Sequence, residues 1–304
     1  ITVTTAGALI GYRLARSQTT ACCHAGGPTA SLAASKAAAL SGTPNAGIMR
    51  PARGPRPGPS RIIRPQGYFL RKGINEATRF RSMLLFIHVP KTAGSSFRVA
   101  LTKCCGEECV ALDYGRDSPV TSNIVKRIVY GENRYRPKRR LMRALRNRQY
   151  EVLAGHFPYT TYGKFFAPEE VVCFIREPLC RAASEYLHDQ RNKGYEGSFE
   201  EYIEQRRNQN VQSAYLSGLP NDAFVGITEN YRESIDMLAR RLGIPLRVAR
   251  RNTAPRGGAK RFVRSIPTAL GSRFYELNTE DSNLYRHYLS VFESRRATGV
   301  FSTR

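Results

Sequence analysis

Met83-Leu-Leu-Phe-Ile-His-Val-Pro-Lys-Thr-Ala-Gly-Ser-Ser-Phe97 is the stretch on which the reading of this chain turns. Its apolar first half predicts a buried strand over 83–89. The small polar residues after Pro90 predict a turn that opens a helix from Ser95 to about Cys104. A strand running into such a turn makes a cradle for phosphate. Backbone N–H groups at the helix N-terminus face an anion, glycine lets its oxygens come close, and a lysine adds a point charge. Lys91, Gly94, Ser95 and Ser96 bring these devices together within one short loop. An ordinary nucleoside triphosphate loop fits poorly, because the Walker pattern sets its lysine after the second glycine. Here Lys91 stands three residues before Gly94.

Further along, Val171-Val-Cys-Phe-Ile-Arg-Glu-Pro-Leu-Cys-Arg-Ala-Ala-Ser-Glu-Tyr186 predicts a strand over 171–175 and then a helix, with Pro178 suited to its first turn. Arg176 falls at the C-terminal end of that strand, where open α/β sheets bind their ligands. Its forked, permanent charge matches a phosphate, and Ser184, two turns into the helix, adds a hydroxyl. Each residue alone also has a structural reading, Arg176 as the partner of Glu177 or another carboxylate and Ser184 as a cap or padding. A further strand is expected over 150–155, ending in His156-Phe-Pro-Tyr159, and an apolar run over 224–228. Tyr231, Ile235, Leu238, Ala239 and Leu242 recur at helical spacing before Gly243 and Pro245 end the pattern. A loop rich in Arg, Gly and Pro is expected over 250–261. Leu284, Tyr288, Leu289 and Phe292 mark one face of a terminal helix. Strands alternating with helices predict an α/β fold, a P-loop-like three-layer arrangement with a central parallel sheet flanked by helices. No internal repeat is visible.

The 304 residues carry a formal charge of +24 and are 41% hydrophobic, enough for a substantial core. Charge is unevenly spread: residues 1–75 hold ten Lys or Arg and no acid. Residues 1–66 are therefore expected to form a disordered basic arm or stem rich in Ala, Gly and Pro, and residues 67–304 the folded domain. Residues 1–10 read as the end of an apolar segment, and no run of 18 apolar residues follows. Between 126 and 148, ten basic residues face one acid, Glu132. That strip reads either as a solvated helix face or flexible insertion, or as a docking strip for a polyanion. Nucleic acid and a sulfated or uronic-acid polysaccharide fit its charge equally. Seven cysteines, among them Cys22-Cys23, Cys104-Cys105, Cys109, Cys173 and Cys180, show no zinc spacing. The odd count leaves at least one free thiol in an oxidising compartment, and the pairing is open.

Together the two motifs resemble the phosphosulfate-binding and 3′-phosphate-binding motifs of sulfotransferases that use 3′-phosphoadenosine 5′-phosphosulfate (PAPS). More closely, Phe86-Ile-His-Val-Pro-Lys-Thr-Ala-Gly-Ser-Ser-Phe97 and Arg176-Glu-Pro-x-x-Arg-x-x-Ser-Glu-Tyr186 look like Golgi carbohydrate sulfotransferases related to the heparan sulfate 2-O- and 6-O-sulfotransferases. The likeness runs through Gly155-His-Phe-Pro-Tyr159, Val225-Gly-Ile-Thr-Glu229 and Arg251-Asn-Thr-Ala-Pro255, covering about residues 82–295 but not the arm. The family often has Asp where Glu177 stands and Thr where Ser95 or Ser96 stands, and neither swap removes a needed functional group.

The resemblance implies that Lys91, Thr92, Ala93, Gly94, Ser95 and Ser96 hold the 5′-phosphosulfate, with Lys91 also catalytic through charge on the departing oxygen. Arg176 and Ser184 would grip the 3′-phosphate. The run from Gly226 to Thr228 would lie along the adenine, and Arg256 would add a phosphate contact. His156 is the implied general base, since an imidazole with a pKa near 6.5 can take a hydroxyl proton during in-line attack. His88 competes for that role, but the end of a buried strand suits a structural histidine. No metal is implied. The implied acceptor is an anionic or hydroxylated polysaccharide, glycosaminoglycan-like, with no specific nucleic acid partner. The implied location is the Golgi lumen, as a type II membrane protein anchored through a preceding segment, or the cytoplasm for a prokaryotic chain. Rival classes are a P-loop nucleotide kinase or phosphotransferase, which shares only the architecture, and a basic nucleic-acid-binding protein, which leaves both anion motifs unexplained.

Overall fold

A strand with no polar position has no face to give to water, so its sheet must be covered on both sides. Leu84–Ile87 (β1) is such a strand, with all four residues buried. The computed structural model describes residues 80, 82–132, 135–249 and 258–298 and places β1 at the centre of a five-stranded sheet. The other strands are Val110–Asp113 (β2), Val152–Gly155 (β3), Val171–Ile175 (β4) and Phe224–Ile227 (β5). Their order is β2-β3-β1-β4-β5 and every pairing is parallel. Register is set by buried side chains: Ile87 lies opposite Gly155 on one side and Cys173 on the other.

Parallel neighbours need crossovers, and helices supply them. Gly94–Cys105 (α1) leads from β1 towards β2. Asn123–Val129 (α2) and Pro137–Asn147 (α3) lead on to β3. The single turn Tyr159–Tyr162 (α4) precedes β4. Pro178–Lys193 (α5), Phe199–Glu204 (α6) and Val211–Leu216 (α7) lead to β5. Right-handed crossovers place the β1–β2 connection on the opposite face from the later ones, because the chain moves one way along the sheet after β1 and the other way afterwards. A crevice therefore opens beyond the C-terminal ends of β1 and β4. Tyr231–Leu242 (α8), Gly258–Ser265 (α9), Thr268–Leu277 (α10) and Thr279–Thr298 (α11) complete the domain. None of the described helices is long and apolar enough to cross a membrane.

The core is aromatic at its centre. The Phe97 ring of α1 stands 4.7 Å from Phe86 and 5.0 Å from Phe174 between centroids, all three fully buried. Each such ring contributes about 1.5–3 kcal/mol by leaving water. A second cluster joins Leu179 and Tyr186 of α5 to Phe199, Tyr202 and Phe274.

The architecture is the expected three-layer α/β arrangement, with local differences at β2 and at the 250–261 loop. β2 was not among the expected strands, because four residues ending in an acid give too short an apolar signal. The basic strip over 126–148 folds largely as α2 and α3, with Leu141, Met142 and Leu145 turned inward. The expected loop over 250–261 ends early, since Gly258 already opens α9 and sends Phe262 against Tyr186 and Phe199, 5.4 and 5.3 Å between centroids. The terminal helix is α11, and Leu284, Tyr288, Leu289 and Phe292 all reach the main core. Cys104, Cys105, Cys173 and Cys180 are free thiols. The arm over 1–66, Cys22 and Cys23, the 251–255 segment and Arg256 lie outside the described residues.

Candidate active site

The loop after β1 folds back on itself through two residues in the left-handed region, Lys91 at φ 66° and Ala93 at φ 64°. Such non-glycine conformations cost on the order of 1–3 kcal/mol each and persist where the surroundings impose them. Thr92 stands between them, fully buried, and its Oγ1 donates to the carbonyl of Val89 at 2.8 Å. Its hydroxyl thus ties the turn together and leaves only its backbone for a ligand. Ser96 and Phe97 make the first backbone hydrogen bonds of α1, both to Ala93 O, at 2.9 and 3.1 Å. The N–H groups of Gly94 and Ser95 are left at the helix mouth, beside a first turn that holds no acid. Ser95 is half-buried there and Ser96 is buried. Gly94 is obligatory for packing: a Cβ on it would stand 1.9 Å from His88 Cδ2.

Arg176 ends β4 and is held by its backbone. Its N–H donates to Gln212 Oε1 at 2.8 Å and its carbonyl accepts from Gln212 Nε2 at 2.9 Å. Gln212 is fully buried on α7, whose first turn is in turn fixed by Asp281, which accepts from the N–H groups of Gln212 and Ser213 at 3.1 and 2.7 Å. So anchored, the Arg176 guanidinium crosses the crevice and donates from Nη1 to the carbonyl of Lys91 at 3.3 Å. Its Nε lies 3.8 Å from Glu229 Oε1, so the carboxylate beside it is Glu229 and not Glu177. Glu177 instead caps α5, accepting from the N–H groups of Leu179 and Cys180 at 3.0 and 2.7 Å.

Ser184 is half-buried on α5, and its neighbour Glu185 is held by the buried guanidinium of Arg181. Thr228 sits at the end of β5 with Oγ1 donating to Ile175 O at 2.8 Å. Gly226 and Ile227 are buried in the sheet, and a Cβ on Gly226 would stand 2.5 Å from the Phe174 ring, so of that run Thr228 alone reaches the crevice edge.

The register of β1 and β3 brings two histidines together. Ile87 lies opposite Gly155, so His88 and His156 are the next neighbours, with ring centroids 4.4 Å apart and planes at 77°. Tyr114, just past β2, completes the cluster: its hydroxyl is hydrogen-bonded to His88 Nδ1 at 2.7 Å and its ring centroid is 4.6 Å from that of His156. The Arg98 guanidinium lies 5.7 Å from the Tyr114 ring centroid. His88 is buried, and burial, with His156, Arg98 and Lys91 nearby, holds its pKa well below the usual value. His156 is exposed by surface area, yet the side chains around its ring withdraw it from water and, with the nearby Arg98 cation, lower its pKa to about 4 against the opposing pull of Glu185. It is therefore a neutral imidazole at pH 7, able to accept a proton. Burial also lowers the Lys91 ammonium from its ordinary range, with Glu185 opposing.

The structure thus brings Lys91, the 92–96 turn, Arg176 and Thr228 around one crevice, with His156 one strand over from β1. Arg98, Tyr114, Glu185 and Gln212 are part of this surrounding and were not singled out from sequence. Arg98 lies one helical turn beyond Gly94, a spacing that could have pointed to it. Tyr114 follows a strand too short to recognise, and the pairing of Gln212 with Arg176 has no local signal.

No family model matches the chain, and no curated protein matches it. Among solved structures, one match is described as the crystal structure of a sulfotransferase from Alicyclobacillus acidocaldarius. It is 16% identical over an alignment covering 67% of this chain and 98% of that one, with a TM-score of 0.35.

Proposed function

We propose that this chain is a sulfotransferase that moves a sulfuryl group from PAPS to a hydroxyl of a carbohydrate. The observation that supports this best is the Arg176 Nη1 contact with the Lys91 carbonyl at 3.3 Å. Two anion-binding devices far apart in the chain share one crevice, as a donor with anionic groups at both its 5′ and 3′ ends requires. The residues fit that donor. The mouth of α1 offers unpaired N–H groups with no acid in the first turn, His88 against Gly94 leaves no room there for a side chain, and Arg176 with Ser184 supplies a forked cation and a hydroxyl.

The donor supplies an activated sulfuryl group whose bond to the 5′-phosphate oxygen is exchanged for one to the acceptor oxygen. His156 takes the proton of that acceptor hydroxyl as its oxygen attacks sulfur in line. Lys91 and the N–H groups at the α1 mouth neutralise the charge that grows on the departing phosphate oxygen. Arg176 and Ser184 orient the other end by its 3′-phosphate. A glycosaminoglycan-like acceptor and a Golgi lumenal setting follow from the family resemblance and are proposed on that ground.

Calorimetry with 3′,5′-adenosine bisphosphate, ATP with magnesium, and duplex DNA tests the reading. The expected result is metal-independent binding of the bisphosphate in preference to ATP. A preference for ATP would point to the kinase class, and binding of DNA alone to the nucleic-acid class.

A further inference from the structure

A second cationic feature lies outside the crevice. Along α3 runs a groove of about 1010 Å³ whose lining includes Arg136, Lys138, Arg139, Arg143, Arg146 and Lys164 and no acidic residue. From the N-cap of α3, Arg136, Arg139, Arg143 and Arg146 recur at intervals of three and four residues and so form one stripe, roughly 15 Å long at the helical rise. The opposite face of the helix is spent on the core through Leu141 and Leu145. Among the described residues, none of Arg136, Lys138, Arg139, Arg143 and Lys164 has a carboxylate partner. Arg146 donates to the carbonyl of Phe165 at 2.8 Å and fixes one end of the groove.

The other end, at Lys138, packs near the C-terminal ends of β2 and β3. Lys138 Nζ lies 5.9 Å from the Tyr162 ring centroid, and Tyr162 donates its hydroxyl proton to Asp113 Oδ2 at 2.7 Å. The Asp113 carbonyl in turn accepts from the His156 N–H at 3.1 Å. A short run of interior contacts thus links Lys138, at that end of the groove, to the backbone of the proposed base at the ends of β2 and β3.

We propose that the α3 groove is the docking track for an extended anionic polysaccharide, the acceptor chain whose hydroxyl is presented at His156; this rests on the sulfotransferase reading above. A row of guanidinium forks suits sulfate and carboxylate groups spaced along one strand. A single-stranded nucleic acid would need a succession of aromatic faces for its bases. The lining offers one aromatic ring, Phe165, and the Lys164 ammonium lies 5.4 Å from its centroid.

The test is binding of heparin, duplex DNA and 3′,5′-adenosine bisphosphate by the full chain, by the double variant Arg139→Glu/Arg143→Glu, and by the control Arg206→Glu/Arg207→Glu, which makes the same charge change on an exposed turn elsewhere. Heparin affinity is expected to fall at least about tenfold in the α3 variant and by less than about twofold in the control, with bisphosphate affinity retained in both. Unchanged heparin affinity in the α3 variant, or equal losses in both variants, overturns the groove while bisphosphate binding leaves the sulfotransferase reading intact. Tighter binding of duplex DNA than of heparin, abolished by the same α3 pair, also overturns it. Absence of bisphosphate binding by the unaltered chain overturns the sulfotransferase reading, and with it the acceptor role of the groove, even where heparin binds.

Discussion

The turn after β1 and the groove along α3 both collect positive potential, and they do so by opposite means. In the turn, the attraction comes from backbone N–H groups fixed by two left-handed residues, a buried Thr92 and a glycine pressed against His88. In the groove it comes from long, exposed side chains that owe their alignment to helical spacing alone. The first arrangement selects by shape, since a ligand must enter a rigid, partly desolvated mouth. The second selects by charge, is screened by salt, and tolerates variation in what lies along it.

The contrast breaks most visibly at the chemistry. His156→Gln is expected to lower turnover by ~10²–10⁴-fold with bisphosphate affinity unchanged, measured by steady-state kinetics beside calorimetry. A variant that keeps turnover within a few-fold would remove His156 from the role of base. Next in size, Lys91→Ala is expected to cost ~10²–10³-fold in kcat, the usual loss when one preorganised charge-stabilising group is removed. The rigidity of the turn is probed by Gly94→Ala, whose methyl must displace the His88 ring. A loss of about 1–3 kcal/mol in denaturant unfolding is expected, with weakened bisphosphate binding. An unchanged midpoint and affinity would show that the mouth is softer than its contacts suggest.

Smaller effects sharpen the same contrast. Both His88 and His156 have pKa values below the free value of 6.5 in the folded chain, His156 at about 4. Between these values the unfolded chain binds more protons than the folded one, so stability rises with pH in that window. The His156 contribution is complete above pH 6.5 and is lost as pH falls towards about 4. Thermal unfolding followed from pH 7 to about 5 should show a falling Tm, with a shallower slope in His156→Gln. Finally, raising salt from about 50 to about 200 mM should weaken heparin binding more than bisphosphate binding, because exposed charges are screened more than a partly buried mouth. Equal salt sensitivity would erase the distinction between the two regions.

Much of the fold was legible because its signals are local. β1, β3, β4 and β5 announce themselves as apolar runs ending in Gly, Pro or charged residues, and α5 and α8 carry start or stop residues within a few positions. The same holds for the cradle, whose parts are contiguous from Lys91 to Ser96. β2 escaped because four residues cannot establish a pattern, and with it escaped Tyr114, which the strand delivers to the histidines. The carboxylate beside Arg176 was open between Glu177 and another acid. Glu177, nearest in sequence, is engaged in capping α5, and Glu229, at the end of a different strand, lies beside the guanidinium.

By itself, then, the sequence determined that β1, β3, β4 and β5 are strands, that β1 runs through a short turn into a helix, and that 126–148 carries a concentration of positive charge. These depend on periodicity, turn chemistry and composition, which act over a few residues. Only the tertiary structure decided that Arg176 reaches the Lys91 carbonyl, that Gln212 and Asp281 hold Arg176 in place, that His88, Tyr114 and His156 meet, and that the α3 cations line one groove with Lys164 and Phe165. Each of these follows from strand order and register, which bring distant residues into contact without leaving a mark on the local sequence.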